Sequence, residues 1–502
     1  MNNRSSGTIV TSTPRKPACR VLVPALLAVL CGCGSAVRDP AHAPHTQADH
    51  GVQVWVTTAD RSRLLAPESD VMIGAATAEP ATIEIDTARR YQTMIGFGAA
   101  ITDASAWLIR SRMGGAQRAA LMQELFGPAP ALQISFVRLT IGASDFSSTH
   151  YSLDDMPDGE TDPALAHFSI APIRDKVVPM VRDARALNPS LLVMASPWSA
   201  PGWMKTGGAL IHGTLLPQFY GAFANYLVKY VDAMQALGIP IYALTLQNEP
   251  HFDPPNYPGM LLDADARAQL IGKYLGPAFA ERATRTRILE WDHNWDRPQE
   301  PLQVLGNPLA AAFIEGVAWH CYAGNVAAQA QVHLAHPDKD AYLTECSGGG
   351  WDSASHSSLL QMTRALIIGS TRGWARGVVL WNLALDQSAG PHLGGCTNCR
   401  GLVTIDSRTG EVTRNDEYYV IAHASRFIRP GAQRIESNET DSQLANAAFL
   451  NPDGSLVLIL ANSATNPRAL SVRCRDREFR YTMLGESVAT LVWAQRDTVR
   501  YN

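Results

Sequence analysis

The sequence predicts a (β/α)8 barrel carrying an accessory antiparallel β-sandwich built from both ends of the chain. Three observations carry this. Eight short apolar runs alternate with amphipathic stretches through the middle of the chain, and the flanking segments alternate apolar and polar residues with a period of two. Two glutamates, Glu249 and Glu345, each close an apolar run where the pattern breaks, which is where a parallel barrel keeps its chemistry.

Residues 1–35 have the layout of an export signal. Arg4, Arg15, Lys16 and Arg20 precede the apolar run from Val21 to Leu30, and Cys31-Gly-Cys-Gly-Ser35 supplies small residues after it. That run is too short for a membrane-spanning helix. Leu30-Cys-Gly-Cys33 resembles a bacterial lipobox, which predicts lipid on Cys33 and a membrane tether; simple cleavage is the alternative. Residues 36–50, rich in Ala, His, Pro and Asp, read as a linker. The expected location is periplasmic, secreted or lipid-anchored to a bacterial membrane.

Residues 51–89 supply the first sandwich strands. Val52-Gln-Val-Trp-Val-Thr57 and Ala81-Thr-Ile-Glu-Ile-Asp86 both alternate apolar and polar side chains. Residues 90–425 hold the barrel, with strands expected at 92–97, 134–141, 191–196, 241–247, 286–291, 316–321, 341–344 and 377–380. Helices are expected at 115–126, 173–187, 217–237, 264–285 and 358–371, where apolar residues recur at three and four spacing. From residue 426 to 502 the two-residue alternation returns, with Asn451-Pro-Asp-Gly454 as a hairpin turn. Because the early and late strands are too few to stand apart, they are expected to join in one sandwich.

Composition narrows the function. Of 502 residues 46% are apolar and 18% charged, a globular balance, and a formal net charge of −4 with no basic run gives nucleic acid no footing. Five of the eight cysteines lie beyond the export segment. Cys396-Thr-Asn-Cys399 reads as a short-loop disulfide, since no second such pair completes a zinc site. Cys321 and Cys346 read as packing residues, with a disulfide between them as the alternative. His320, taken alone, reads as a satisfied polar residue lining the barrel, and no second histidine or carboxylate at ligand spacing argues for a metal. No cofactor is expected.

Glu249 follows the fourth run and Glu345 the seventh, so a closed barrel brings both to one mouth. Paired carboxylates across a sugar suit double-displacement glycoside hydrolysis, and Asn248 is placed to hold a 2-hydroxyl. Asn248-Glu249-Pro250, Ile95-Gly-Phe-Gly-Ala-Ala-Ile-Thr-Asp-Ala104, Ser196-Pro-Trp-Ser-Ala-Pro-Gly-Trp-Met-Lys-Thr206, Trp381-Asn-Leu-Ala-Leu385 and His423-Ala-Ser-Arg-Phe-Ile-Arg-Pro-Gly431 resemble glycoside hydrolase family 30, the glucosylceramidase family. The resemblance runs from about residue 90 to 435. It implies Glu249 as general acid/base and Glu345 as nucleophile. It implies that Asp145, Trp198, Asn248 and Trp381 hold the innermost sugar, the tryptophans as apolar walls, and that Arg138, His320 and Tyr322 orient the carboxylates. Glu249 should then be the weaker acid of the two.

The loop from Gln387 to Leu402 departs from the animal glucosylceramidases and resembles bacterial members, which puts ceramide in doubt as the aglycone. The implied activity is retaining hydrolysis of a β-D-glucosidic bond in a β-glucoside, glucan or glycolipid. A β-1,6-glucanase, endo- or exo-acting, or a β-xylosidase on the same scaffold is the alternative. A non-catalytic carbohydrate-binding surface protein is the reading from another class, and the presence of both carboxylates argues against it.

Overall fold

The computed structural model describes residues 51–351 and 358–494. The expected export segment, with Cys33, and the expected linker lie outside the described residues.

Eight parallel strands form the barrel: Gly96–Ala99, Phe136–Ile141, Leu192–Pro197, Ala243–Thr245, Arg287–Asn294, Ile314–His320, Asp340–Glu345 and Ala375–Leu380. Each overlaps one of the eight apolar runs. Successive strands are neighbours in the sheet, and the eighth pairs back onto the first. The seam between first and second closes through Ile101 N–H donating to Arg138 O at 2.9 Å and Ser135 N–H to Phe97 O at 3.2 Å. Helices cover the outside while side chains fill the inside, so both faces are buried and the strands read as unbroken apolar runs. Phe136–Ile141 is buried along its whole length.

Ile95, Phe136, Met194, Ala243, Leu289, Ala318, Tyr342 and Val379, one from each strand or its lead-in, pack together inside the barrel. Burying a Phe, Leu or Val of this kind contributes about 1.5–3 kcal/mol. This plug leaves only the C-terminal mouth for polar chemistry. Among the helices, Tyr220–Ala236 buries Phe223, Leu227, Val231 and Met234, the recurrence that marks it in the sequence.

Several expected elements differ in detail. The helix expected over 358–371 carries a π-type segment at Thr363–Gly369, and that over 173–187 divides into Ala171–Arg174 and Val177–Leu187. The helix expected over 264–285 is interrupted by a π-type turn at Leu270–Leu275, where Gly276 N–H bonds five residues back to Ile271 O. Pro277 follows with no N–H to give, so the ordinary ladder cannot run through it. The run 92–97 is divided between two sheets: Gln92 and Thr93 end the sandwich strand Ile83–Thr93, and the barrel begins at Gly96.

The sandwich draws on both ends of the described chain. Gly51–Thr58 pairs antiparallel with Ser487–Ala494, while Ile83–Thr93 lies between Gln433–Ser437 and Arg468–Cys474. Its core gathers Val52, Val54, Ile83, Leu458, Leu460, Val472 and Leu491. His423, in the last barrel helix Asp416–Ser425, is buried at the seam, with Nδ1 2.9 Å from Thr490 Oγ1 and Nε2 2.8 Å from Thr57 Oγ1.

Candidate active site

The mouth of the barrel is built from strand ends. Arg138 stands in the second strand, His320 ends the sixth and Glu345 ends the seventh. Asn248 and Glu249 follow the fourth, and Trp198 and Trp381 follow the third and eighth. In the fifth strand the pairing register shifts between Trp291 and His293, and Trp291 and Asp292 have φ of 74° and 60°. This bulge breaks the two-residue alternation, so the consecutive residues Asp292 and His293 both reach site groups. Glu249 also has a positive φ, 48°, and is held there by its N–H donating to Asp292 O at 3.0 Å and its O accepting from Phe252 N–H at 2.9 Å.

Arg138 and Asp292, both fully buried, form the hub. The Arg138 guanidinium donates to Glu345 Oε2 at 2.5 Å, Asn248 Oδ1 at 2.8 Å and Asp292 Oδ2 at 2.7 Å. Asp292 Oδ2 also accepts from Ser196 Oγ at 2.7 Å and Thr245 Oγ1 at 2.8 Å. Its Oδ1 accepts from Thr344 Oγ1 at 2.7 Å and lies 3.1 Å from His320 Nε2. Burial alone would raise the Asp292 carboxyl, but Arg138 and His320 outweigh it and hold it far below the usual range. With Arg138 occupying its oxygen, Asn248 has its amide nitrogen left to offer a substrate.

Glu345 and Glu249 meet different partners. Glu345 Oε1 accepts from Tyr322 O–H at 2.9 Å, completing a clasp begun by Arg138. Glu249 Oε1 lies 3.1 Å from His320 Nδ1 and 3.6 Å from His293 Nδ1, the second too long for a hydrogen bond. His320 thus has a carboxylate on each ring nitrogen. Burial opposes its charge, yet Glu345, Asp292 and Glu249 push its pKa up to about 9.

The expected acidity order is reversed in the ligand-free site. Burial raises the Glu249 carboxyl, but the imidazoles of His293 and His320 more than offset this and bring it down to about 2. Glu345 is raised by burial despite His320 and Arg138. Of the neighbours Glu249 and His320, the imidazole therefore holds a proton the more strongly. His320 Nδ1 is also 4.0 Å from Glu345 Oε1, which caps the separation of those two carboxylate oxygens at about 7 Å. Retaining pairs stand about 5–5.5 Å apart and inverting pairs about 6.5–9.5 Å.

Asp145 is buried beside these groups, and among the described residues its Oδ1 has no partner, leaving an acceptor at the mouth. Burial and the nearby Glu345 and Glu249 push its carboxyl well up. Trp198 and Trp381 stack on each other at 4.9 Å and 18°, so they form one wall rather than the two expected. Arg138 lies over Trp198, 4.8 Å from the ring centroid. The Cys396–Cys399 disulfide lies in the loop after strand eight, and Cys396 and Tyr257 pack against the tryptophan cluster. Cys321 and Cys346, read first as packing residues, are joined by a second disulfide; they directly follow His320 and Glu345.

All nine residues expected at the site therefore converge. Asp292, His293 and Tyr257 were missed. A strand-end signal was present for the first two in Glu290-Trp-Asp-His-Asn294, a polar cluster closing the fifth apolar run. Nothing comparable marks Tyr257, whose hydroxyl is pushed up by burial, Asp145 and both glutamates.

Comparison with known proteins places this arrangement. Residues 94–428 match the glycosyl hydrolase family 30 TIM-barrel domain and residues 431–491 the family 30 β-sandwich domain. An endo-1,6-β-D-glucanase of Aspergillus fumigatus is 35% identical over 423 residues, 79% of this chain and 83% of its own length. The lysosomal acid glucosylceramidase of Mus musculus is 27% identical over 500 residues, covering 93% of this chain and 94% of its own. The solved structure of an endo-β-1,6-glucanase, 32% identical, superposes with a TM-score of 0.81 over 89% of this chain and 99% of that one.

Proposed function

This chain belongs to glycoside hydrolase family 30, and from that premise we propose that it is an endo-acting β-1,6-glucanase that retains anomeric configuration. The observation carrying the substrate is that relatives above 30% identity, three by sequence and one by structure, are named endo-β-1,6-glucanases, whereas the glucosylceramidase stands at 27%. This ranks β-1,6-glucan ahead of the plain β-glucosidase or glucosylceramidase expected first from the sequence. Action outside the cytoplasm, as the predicted export signal implies, suits a polymer that cannot enter a cell.

In this reading Glu345 is the nucleophile. Its carboxylate, aimed by Arg138 and Tyr322, attacks the anomeric carbon and forms a glycosyl ester while the glycosidic bond breaks. Glu249 delivers a proton to the departing oxygen. Since Glu249 Oε1 and His320 Nδ1 lie 3.1 Å apart, that proton can be replenished across this contact. In the second step Glu249 takes a proton from water, which attacks the ester and releases Glu345. The Asn248 amide and the free Asp145 oxygen receive sugar hydroxyls, and the Trp198–Trp381 wall packs against an apolar ring face.

The test offers purified protein a β-1,6-glucan, a synthetic β-glucoside, a β-xyloside and glucosylceramide. A ladder of β-1,6-linked oligosaccharides at early times, with the β-anomer appearing first by NMR, is expected. Glucose as the sole early product would overturn endo action, an α-anomer would overturn retention, and faster cleavage of glucosylceramide would overturn the substrate.

A further inference from the structure

His293 is not needed to explain glycoside cleavage. The residue is buried, with 11% of its side chain exposed, and among the described residues its Nδ1 has no hydrogen-bond partner, yet it points at Glu249 Oε1 from 3.6 Å. An unpartnered imidazole nitrogen in such a place is costly unless something else takes its lone pair. On the other side of the same carboxylate oxygen, 3.1 Å away, lies His320 Nδ1. The three ligand atoms lie within 4.8 Å of one another.

We propose that Glu249, His293 and His320 form a binding site for one divalent transition-metal cation of the zinc class, whose occupancy withdraws Glu249 from catalysis. The donor set, two imidazole nitrogens and one carboxylate oxygen, is one that zinc takes in open, three-ligand sites. With bonds of about 2.0–2.1 Å in tetrahedral geometry, ligand atoms stand about 3.3 Å apart. Two edges of the triangle, 3.1 and 3.6 Å, already bracket that figure. The edge between the two histidines has more room to close, and His293 Nδ1 has no hydrogen bond to give up as it turns.

The surroundings favour the same chemistry. His320 Nε2 is 3.1 Å from Asp292 Oδ1, so Asp292 can keep the Nε2 proton when a cation displaces the proton that Nδ1 shares with Glu249. A carboxylate behind a ligating imidazole fixes the ring and raises its basicity. Asp292 is itself anchored by Arg138, Ser196, Thr245 and Thr344, so the ring has little freedom to turn away. Glu249 cannot bind a cation and carry a proton on the same oxygen. The cation is therefore an inhibitor, competing with the proton and with any ligand that needs Glu249 free. That consequence rests on the acid/base reading of Glu249; the binding site does not.

The test uses full-length protein with Co2+ as a visible probe and Zn2+ as inhibitor. Co2+ should give a ligand-field absorption band that a saturating glucose-configured iminosugar abolishes, and Zn2+ should inhibit competitively with a β-1,6-glucan oligosaccharide. His293→Gln keeps the volume but removes one ligand, and should raise the Zn2+ dissociation constant, measured by calorimetry, by at least about tenfold. An unchanged dissociation constant in folded His293→Gln protein overturns the proposal, as does a Co2+ band that survives the iminosugar. The second result needs no variant. If Co2+ is bound and displaced while β-1,6-glucan is not cleaved, the site stands and only the substrate reading fails.

Discussion

Asp292→Asn isolates the charge at the centre of the site. The substitution preserves volume and shape while removing the negative charge that lies 2.7 Å from Arg138 and 3.1 Å from His320, with all three groups fully buried. It also turns one acceptor into a donor. If the new amide nitrogen takes the Oδ2 place it faces Arg138, and if it takes the Oδ1 place it faces His320, so neither orientation satisfies both. Removing one partner of a buried ion pair costs about 3–5 kcal/mol, because the other charge is left without compensation. That is a large share of the roughly 5–15 kcal/mol that holds a typical domain together.

Urea unfolding at neutral pH reads this cost directly. Thr344→Val serves as the control, because it removes only a neutral donor to the same carboxylate and should cost about 1.5–3 kcal/mol. The Asp292 side chain touches the sugar-facing groups only through Arg138 and His320, so the loss of its charge should lower kcat by about tenfold or more and shift KM far less, the pattern of a displaced positioning residue. A stability loss below about 1 kcal/mol, or a kcat within twofold of the parent enzyme, would refute the account of Asp292 as a charged hub.

Glu345→Gln should abolish turnover while leaving a folded protein, since Arg138 keeps Asp292 as partner; comparable initial rates in that variant sink the proposed nucleophile. His423 is held neutral, because Thr490 Oγ1 gives its proton to His423 O and so must accept from Nδ1, and burial lowers the imidazole pKa to about 3. Its folded pKa lies below the unfolded value, so its stabilising contribution is present above about pH 6.5 and is lost on acidification towards pH 3, about 5 kcal/mol in all. His423→Asn should flatten that acid limb of stability against pH, and an unchanged limb speaks against it. Replacing both Cys321 and Cys346 with Ser opens a loop with a sequence separation of 25 and should cost about 3.5 kcal/mol in unfolding experiments, with kcat falling as His320 and Glu345 loosen. Equal stability and rate in that double variant would count against the clamp.

Periodicity made the barrel legible because each strand is buried on both faces and must be apolar throughout. The proposed catalytic pair was legible for a related reason: a carboxylate ending such a run has no bland place to go. Asp292 and His293 were harder to see. Their presence at the mouth depends on two successive positive φ angles and a register shift, which no local residue pattern announces. Tyr257 comes from a loop and reaches the tryptophan cluster only through tertiary packing. The stacking of Trp198 on Trp381 was similarly hidden, because their separation in sequence says nothing about the angle between the rings.

The acidity order was the least legible feature, and its reversal bears on how one glutamate would serve both steps of the proposed mechanism. Spacing puts Glu249 and Glu345 at one mouth but says nothing of the two imidazoles that converge on Glu249. A carboxyl held near 2 is poorly protonated as an acid, which the first step requires, and well prepared as a base, which the second requires. His320 reconciles the two demands by storing the proton one hydrogen bond away. As Glu345 gives up its negative charge in forming the ester, one of the charges favouring that imidazolium is lost in the same step that needs the proton. The division of labour between the two glutamates therefore depends as much on the Asp292–His320 pair behind Glu249 as on the glutamates themselves.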